Sequence, residues 1–210
     1  MTAAVDVYAA SLGTDAEPLV LHYRDGRTRR LPVDVWTAVE VDGDTGLVSR
    51  CTGATLDIGC GPGRLVVAVA ARGLPVLGVD IAPGAVRLAR ARGALAITRS
   101  VFADLPGRGR WHTALLADGN VGIGGDPVGL LLRVRDLLSP GGTALVELDP
   151  PGTPSGPVHV RMEHDGRLSG WFPWAHLATE HAEVVADAAG FTVTETWQEA
   201  GRWFAALVRA

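Results

Sequence analysis

Residues 56–64, LDIGCGPGR, carry glycine at three alternate positions, Gly59, Gly61 and Gly63, with a carboxylate, Asp57, two places before the first. A glycine has no Cβ, so such a turn can take positive φ and lie against a bound molecule with its backbone. The run before it is apolar and LVVAVAA follows, so the pattern reads strand, tight turn, helix. The amides of such a turn face a polar group above the strand's carboxyl end. The next apolar run, PVLGVD, ends in Asp80, about twenty residues beyond the turn. A carboxylate there can accept two hydrogen bonds from a ribose diol. A later run, WHTALLA, delivers Asp118 and Asn120, the one asparagine of the chain, to another strand end. All 19 Lys and Arg residues are arginine. A phosphate-loop lysine, a Schiff base and a lysine general base are therefore excluded.

The glycine spacing separates two ligand classes. A dinucleotide turn reads G-x-G-x-x-G, which asks for a third glycine at position 64 or 66; these are Arg64 and Val66. The observed G-x-G-x-G with Asp57 ahead of it resembles the first motif of class I S-adenosylmethionine-dependent methyltransferases. Further landmarks resemble the same family in the same order across roughly residues 50–150: the acid at 80, Asp104 just past ALAITRSV, and the LSPGG turn before TALVELD. The resemblance implies a Rossmann-like, doubly wound α/β sheet of seven strands, mostly parallel with a C-terminal antiparallel hairpin, which FTVTETW and WFAALVRA would supply. It implies S-adenosylmethionine as cofactor. Asp57, Gly59, Gly61 and Gly63 would hold its aminoacyl end, Asp80 its ribose and Asp104 its adenine, with Cys60, Arg64, Ile81, Ala103, Leu105 and Asp118 as further cofactor contacts. The alternatives are a nicotinamide-dependent oxidoreductase, disfavoured by Arg64 and Val66, and a non-catalytic nucleotide-binding or interaction domain, disfavoured by the intact set of landmarks.

At 210 residues and 47% hydrophobic content, a single domain is expected. It divides into an N-terminal cap with a hairpin and a helix (1–50), a cofactor-binding core (51–150), a substrate-side insertion (151–174), and a final helix with the terminal strands (175–210). In the cap, Asp25-Gly26 marks the hairpin turn, and Tyr23 or Trp36 would contact a ligand if the cap acts as a lid. The net charge of -4 offers no surface for neutralising phosphates, so nucleic acid is not an expected partner. The two cysteines, Cys51 and Cys60, make no disulfide framework, and apolar runs of about seven residues fall short of the roughly 18–20 that a membrane span needs. With no basic segment and apolar core at the start, a cytoplasmic location is expected.

The insertion holds the densest aromatic stretch, with Trp171, Phe172 and Trp174. Residues 158–163 and 167–172 read as a hairpin about Asp165-Gly166. Alternation sets His159 and Arg161 on one face, and Val158, Val160, Met162 and His164 on the other. Asn120, Arg161, Trp171 and Trp174 are the expected contacts of a small-molecule acceptor. His159, His164, His176 and Asp118 are the candidate bases, should the acceptor atom carry a proton. Asp149-Pro150-Pro151 follows the fifth strand and ends in Gly152, so it reads as a strand terminator rather than an amine-binding motif. His176 and His181 stand about 140° apart on a helix, and His159 and His164 on opposite strand faces, so no metal is expected.

Overall fold

The computed structural model describes residues 2–13 and 17–210; Met1 and residues 14–16 of the expected cap lie outside the described residues. The cap comprises α1 (Ala4–Ser11), the hairpin β1 (Val20–Tyr23) and β2 (Thr28–Arg30), α2 (Val33–Thr37) and α3 (Asp44–Ser49). The core alternates β3 (Thr55–Ile58), α4 (Arg64–Ala71), β4 (Val76–Asp80), α5 (Pro83–Ala91), β5 (Ala96–Thr98), β6 (Trp111–Leu116), α6 (Pro127–Leu137) and β7 (Leu138–Leu148). The strands run parallel in the order β5-β4-β3-β6-β7. After β5 the chain returns past β3 to lay β6 on its other side. That reversal opens a crevice at the carboxyl ends of β3 and β6, where open sheets hold their ligands.

Every residue of β3 and β4 is buried, as expected of parallel strands covered on both faces. Alternate side chains feed two cores: Leu56, Ala114, Leu116, Ala144 and Val146 join the side of α6, while Leu115, Ala117 and Leu145 join Leu65, Val66 and Val69 of α4. Helix starts follow local chemistry. Pro83 opens α5, and the Asp126 carboxylate accepts the Gly129 N–H at 3.0 Å to cap α6. The chain finishes through a 3-10 turn, Thr179–His181, then α7 (Ala182–Ala188), β11 (Phe191–Glu199) and β12 (Arg202–Arg209). Between β7 and α7 lie β8 (Gly156–His164), β9 (Arg167–Leu168) and β10 (Phe172–His176). Strand β12 runs antiparallel to both β7 and β11, completing a seven-stranded sheet with the expected C-terminal hairpin.

The two hairpins expected separately at 18–33 and 158–172 merge into one antiparallel sheet, ordered β10-β8-β1-β2 with β9 also on β8. Strand β1 pairs along β8 from Val20↔Glu163 to Tyr23↔Val160. An isolated hairpin would leave an edge of unpaired N–H and C=O groups, and pairing satisfies both edges. The expected strand 167–172 is broken. The Ser169 Oγ accepts the Met162 N–H at 2.9 Å and donates to the Gly170 carbonyl at 2.8 Å, and pairing resumes at Phe172↔Val160. Among the described residues no helix is long and apolar enough to cross a membrane.

Helices α4 and α5 approach closely at Gly63, which has φ +85°; a Cβ there would stand 2.8 Å from the Ala89 Cβ and 3.0 Å from the Ala94 Cβ. Gly63→Ala is expected to lower stability by about 2–4 kcal/mol, combining backbone strain with overpacking. Gly73→Ala shares the strain, at φ +78° with nothing within 4 Å, and should cost only about 1–2 kcal/mol. Urea unfolding of both variants checks this, and equal losses would show that helix packing does not demand the glycine.

Candidate functional site

A cavity of about 860 Å³ lies between the carboxyl ends of β3, β4, β6 and β7 and the inner face of the antiparallel sheet. Its floor is the glycine turn. The N–H groups of Gly59 and Cys60 donate to the Val79 carbonyl at 2.8 and 3.1 Å, tying the turn to β4. From the other side, Asn120 Nδ2 donates to the carbonyls of Ile58 and Gly59 at 2.9 and 3.0 Å. A Cβ on Gly59 would stand 2.6 Å from Asn120 Nδ2, and one on Gly61 would stand 2.9 Å from the Tyr8 hydroxyl. The turn is thus gripped by its neighbours and bare toward the cavity. Cys60 lines it as well, with a thiol that burial, then Asp57 and Asp80, pushes up and keeps neutral. Gly63 does not line it. Its expected ligand role is replaced by the packing of α4 on α5.

Carboxylates dominate this end. Asp80 Oδ2 accepts the Gly61 N–H at 2.9 Å and Oδ1 the Ala82 N–H at 2.8 Å, so both oxygens are oriented and each keeps a second acceptor site. Burial pushes the Asp80 carboxyl up, against the pull of those two amides. Asp57 lies fully inside, and burial, with Asp118 and Asp80 adding, pushes it up to about 8. Arg64, buried at 5% exposure, pairs with Asp44 of α3 and, at 2.7 Å, with Asp118. Arg202 grips Glu147 through two nitrogens at 3.0 and 2.7 Å and reaches Asp44 at 2.8 Å and Asp118 at 3.4 Å. Asp118, at φ +55°, also donates its N–H to Glu147 at 2.6 Å. Its carboxylate is engaged by two guanidiniums, so the structure gives it a positioning place rather than that of the expected base. Even with Asp57 protonated, Asp44, Asp80, Asp118 and Glu147 outnumber Arg64 and Arg202, an arrangement that suits a cation and repels a diphosphate.

The expected adenine contact Asp104 and the further expected contacts Ala103 and Leu105 lie outside the cavity. Asp104 and Ala103 are exposed, and Leu105 is packed in the core. The chain turns back too early for them: the Ala103 N–H bonds to Ser100 O at 3.0 Å, and Arg133 holds the carbonyls of Val101 and Ala103 at 2.8 and 2.6 Å. The wall here is Arg99, Ser100, Val101 and Phe102, with Ile81 beside it. No polar spacing in the sequence marks those four residues as ligand contacts.

Overhead, Tyr8 and Trp36 meet edge to face, with ring centroids 5.8 Å apart, and both line the cavity. From the antiparallel sheet, Met162, Phe172, Trp174 and His176 face in. The alternation expected along β8 is present, but the ligand side is the Met162 side. His159 is exposed and Arg161 stacks on Trp171, 4.8 Å from guanidinium carbon to ring centroid; all three stand away from the cavity. His164 is buried at the far end of β8, also outside it. These expectations are corrected because the pairing of β1 with β8, invisible in local alternation, selects which face is covered. Asn120 and Trp174 remain as cavity residues.

His176 is the candidate base that the fold brings in. Its Nδ1 lies 3.2 Å from Asp149 Oδ2, which also accepts the Leu177 N–H at 3.0 Å, and its Nε2 lies 3.1 Å from the Tyr23 hydroxyl. Burial raises Asp149, yet its contacts with His176 outweigh that and hold its carboxyl below the usual range. Ionised Asp149 accepts only, so Nδ1 carries the proton and Nε2 is the accepting nitrogen. Asp149 ends β7 as the sequence suggests, and it orients the histidine as well. Its only sequence signal was an acid at a strand's carboxyl end.

Residues 55–142 match the family model described as a methyltransferase domain. No curated protein matches the chain. Among solved structures, the chain is similar over 100% of its length, and 98% of the other, to a SAM-dependent methyltransferase from Bacteroides fragilis in complex with S-adenosyl-L-homocysteine, at 21% identity and TM-score 0.83. It resembles the 1,6-didemethyltoxoflavin-N1-methyltransferase of Burkholderia thailandensis at 20% identity and TM-score 0.57, covering 79% of this chain and 74% of that one. It resembles the magnesium protoporphyrin IX methyltransferase of Synechocystis at 15% identity and TM-score 0.56, covering 79% and 77%. Residues 55–142 thus match a methyltransferase domain, and the whole chain takes the fold of S-adenosylmethionine-dependent methyltransferases.

Proposed function

We propose that the cavity binds S-adenosylmethionine and that the chain transfers its methyl group to a small molecule held beneath the antiparallel sheet, with His176 as the base. The observation that carries this is the bare glycine turn set between Asn120, Tyr8 and Asp80, whose neighbours leave no room for a Cβ at Gly59 or Gly61. When bound, S-adenosylmethionine supplies a methyl on a positively charged sulfur, open to in-line attack. The backbone at Gly59 and Gly61 lies along its aminoacyl end, and the excess of carboxylates there favours its charge. Asp80 accepts from the ribose, and the wall at 99–102 flanks the adenine. Trp36 and Tyr8 close over the site and exclude water. A hydroxyl or amine acceptor brought to His176 gives its proton to Nε2, while Asp149 steadies the imidazolium that forms. Tyr23 holds that nitrogen until the acceptor arrives. The free, buried cysteines fit a reducing compartment, and we place the enzyme in the cytoplasm.

Isothermal calorimetry tests the cofactor. S-adenosylhomocysteine should bind and NADH should not; the reverse result would end this reading. Asp80→Ala should weaken S-adenosylhomocysteine about tenfold or more, as removal of a doubly accepting carboxylate would. Unchanged affinity would show that Asp80 does not hold the ribose.

His176→Ala should lower kcat for methyl transfer by about 10²–10⁴-fold and leave S-adenosylhomocysteine affinity unaltered. Single-turnover kinetics with each variant separates the two quantities, and an unaffected methyl-transfer step would remove His176 from the chemistry.

Asp57 makes the site pH-dependent. With its carboxyl near 8, the ligand-free protein holds a proton at neutral pH that a cationic ligand displaces. Affinity for S-adenosylmethionine should therefore rise toward pH 8, by at most about tenfold per pH unit for one released proton, and level off above it. The folded state binds this proton more tightly than the unfolded chain, so stability of the ligand-free protein should fall as pH climbs from the usual carboxylate range to about 8. Asp57→Asn should flatten both profiles in calorimetry and thermal unfolding, and profiles unchanged in that variant would exonerate Asp57.

A further inference from the structure

Strand β2 sets one charged side chain on the ligand side of the antiparallel sheet. Leu21 pairs with Arg29 on β2 and with Met162 on β8, and directly paired residues of an antiparallel sheet share a face. All three line the cavity. The neighbouring inward row is Tyr23, Val160 and Phe172. Arg29, on an exposed edge strand, is thus the charged member of an otherwise apolar cross-strand row that lines the cavity.

Five other arginines have acids of their own, while Arg99, which also lines the cavity, donates to the Asp104 backbone carbonyl at 2.9 Å. Arg27 pairs with Asp25 at 2.8 Å, Arg50 with Glu195 and Arg108 with Asp136 at 3.0 Å, while Arg64 and Arg202 share the carboxylates at the glycine turn. Among the described residues Arg29 has no carboxylate within ion-pair distance. The acid that feels its charge is Asp149, which is already bonded to His176 and Leu177.

Arg29 also borders a second, smaller cavity of about 510 Å³ that adjoins the first, and Asp149, Pro150 and His176 belong to both. Arg27 stands in that smaller space, 4.9 Å over the Tyr23 ring. A molecule reaching His176 from the main cavity therefore enters space that Arg29 also lines.

We propose that the methyl acceptor is a flat, largely apolar molecule bearing an anionic oxygen group, a carboxylate or phosphate, which Arg29 binds while the acceptor's hydroxyl or amine meets His176. The inference rests on the methyltransferase reading above. A planar guanidinium matches such anions with two parallel hydrogen bonds, and the apolar row beside it accepts the body of the molecule. The anion is drawn to Arg29 and repelled by the carboxylates around the glycine turn, which orients the acceptor as well as selecting it.

The test uses the full chain, first titrated with S-adenosylhomocysteine by calorimetry. Failure at that step would overturn the methyltransferase reading and the inference with it, before any acceptor probe is added. The protein saturated with S-adenosylhomocysteine is then titrated with 4-hydroxybenzoate and with 4-hydroxybenzamide, near-isosteric probes that differ in charge. The benzoate should bind about tenfold more tightly. That preference should vanish in Arg29→Gln, persist in His176→Ala, and leave S-adenosylhomocysteine affinity unmoved in both. Equal binding of the two probes, binding of neither, or a preference unchanged in Arg29→Gln would overturn the assignment to Arg29.

Discussion

The turn after β3 has to stay bare, and most of the molecule bears on keeping it so. Its carbonyls are held by Asn120 from the 3-10 turn after β6, its amides by the Val79 carbonyl from β4, and Gly61 lies under the Tyr8 hydroxyl from α1. Three segments far apart in sequence converge on one stretch of backbone. Because that backbone is satisfied on its protein side, the face toward the cavity can meet a ligand without rearranging. Preorganisation of this kind spares the ordering cost that a flexible loop would impose on binding.

Charge is arranged on the same principle. Arg64 and Arg202 do not cancel the carboxylates around the turn; they hold three of them, Asp44, Asp118 and Glu147, at defined distances and leave Asp57 and Asp80 facing the cavity. The cluster joins α3, α4, β6, β7 and β12, so it also ties the cap and the terminal hairpin to the sheet. Removing one partner would leave a buried charge unpaired, the costly case for such networks. A surplus of negative charge at this end of the cavity favours a cationic ligand.

The cover over the site is a sheet of mixed origin. Strands β1 and β2 come from the start of the chain, β8 to β10 from the insertion after β7, and neither set would be stable as a lone hairpin. Joined, they present Leu21, Tyr23, Met162, Phe172 and Trp174 inward, and they bring Tyr23 of one set onto His176 of the other. The roof of the cavity therefore exists only after long-range pairing has formed.

Local pattern was enough for much of this. Apolar runs separated by helical periods announced the parallel strands, glycine at alternate positions announced the turn, and acids near strand ends announced Asp57 and Asp80, while Asp149 read only as a strand terminator, because each signal is carried by neighbours within one element. It failed where a residue's surroundings come from elsewhere in the chain. An acid near the end of β5 looked fit to read adenine, but Arg133 from α6 fastens the loop so that Val101 and Phe102 line the cavity and Asp104 faces water. Three histidines and one aspartate were equally good bases on paper. Only pairings across 27 and 153 residues, from Asp149 and Tyr23, single out His176, and only the docking of β1 decides that Met162 rather than Arg161 looks inward. Composition and spacing thus determine that there is a bare turn under an α/β sheet; which side chains converge on it depends on contacts between distant segments, and these leave no periodic trace in the order of residues.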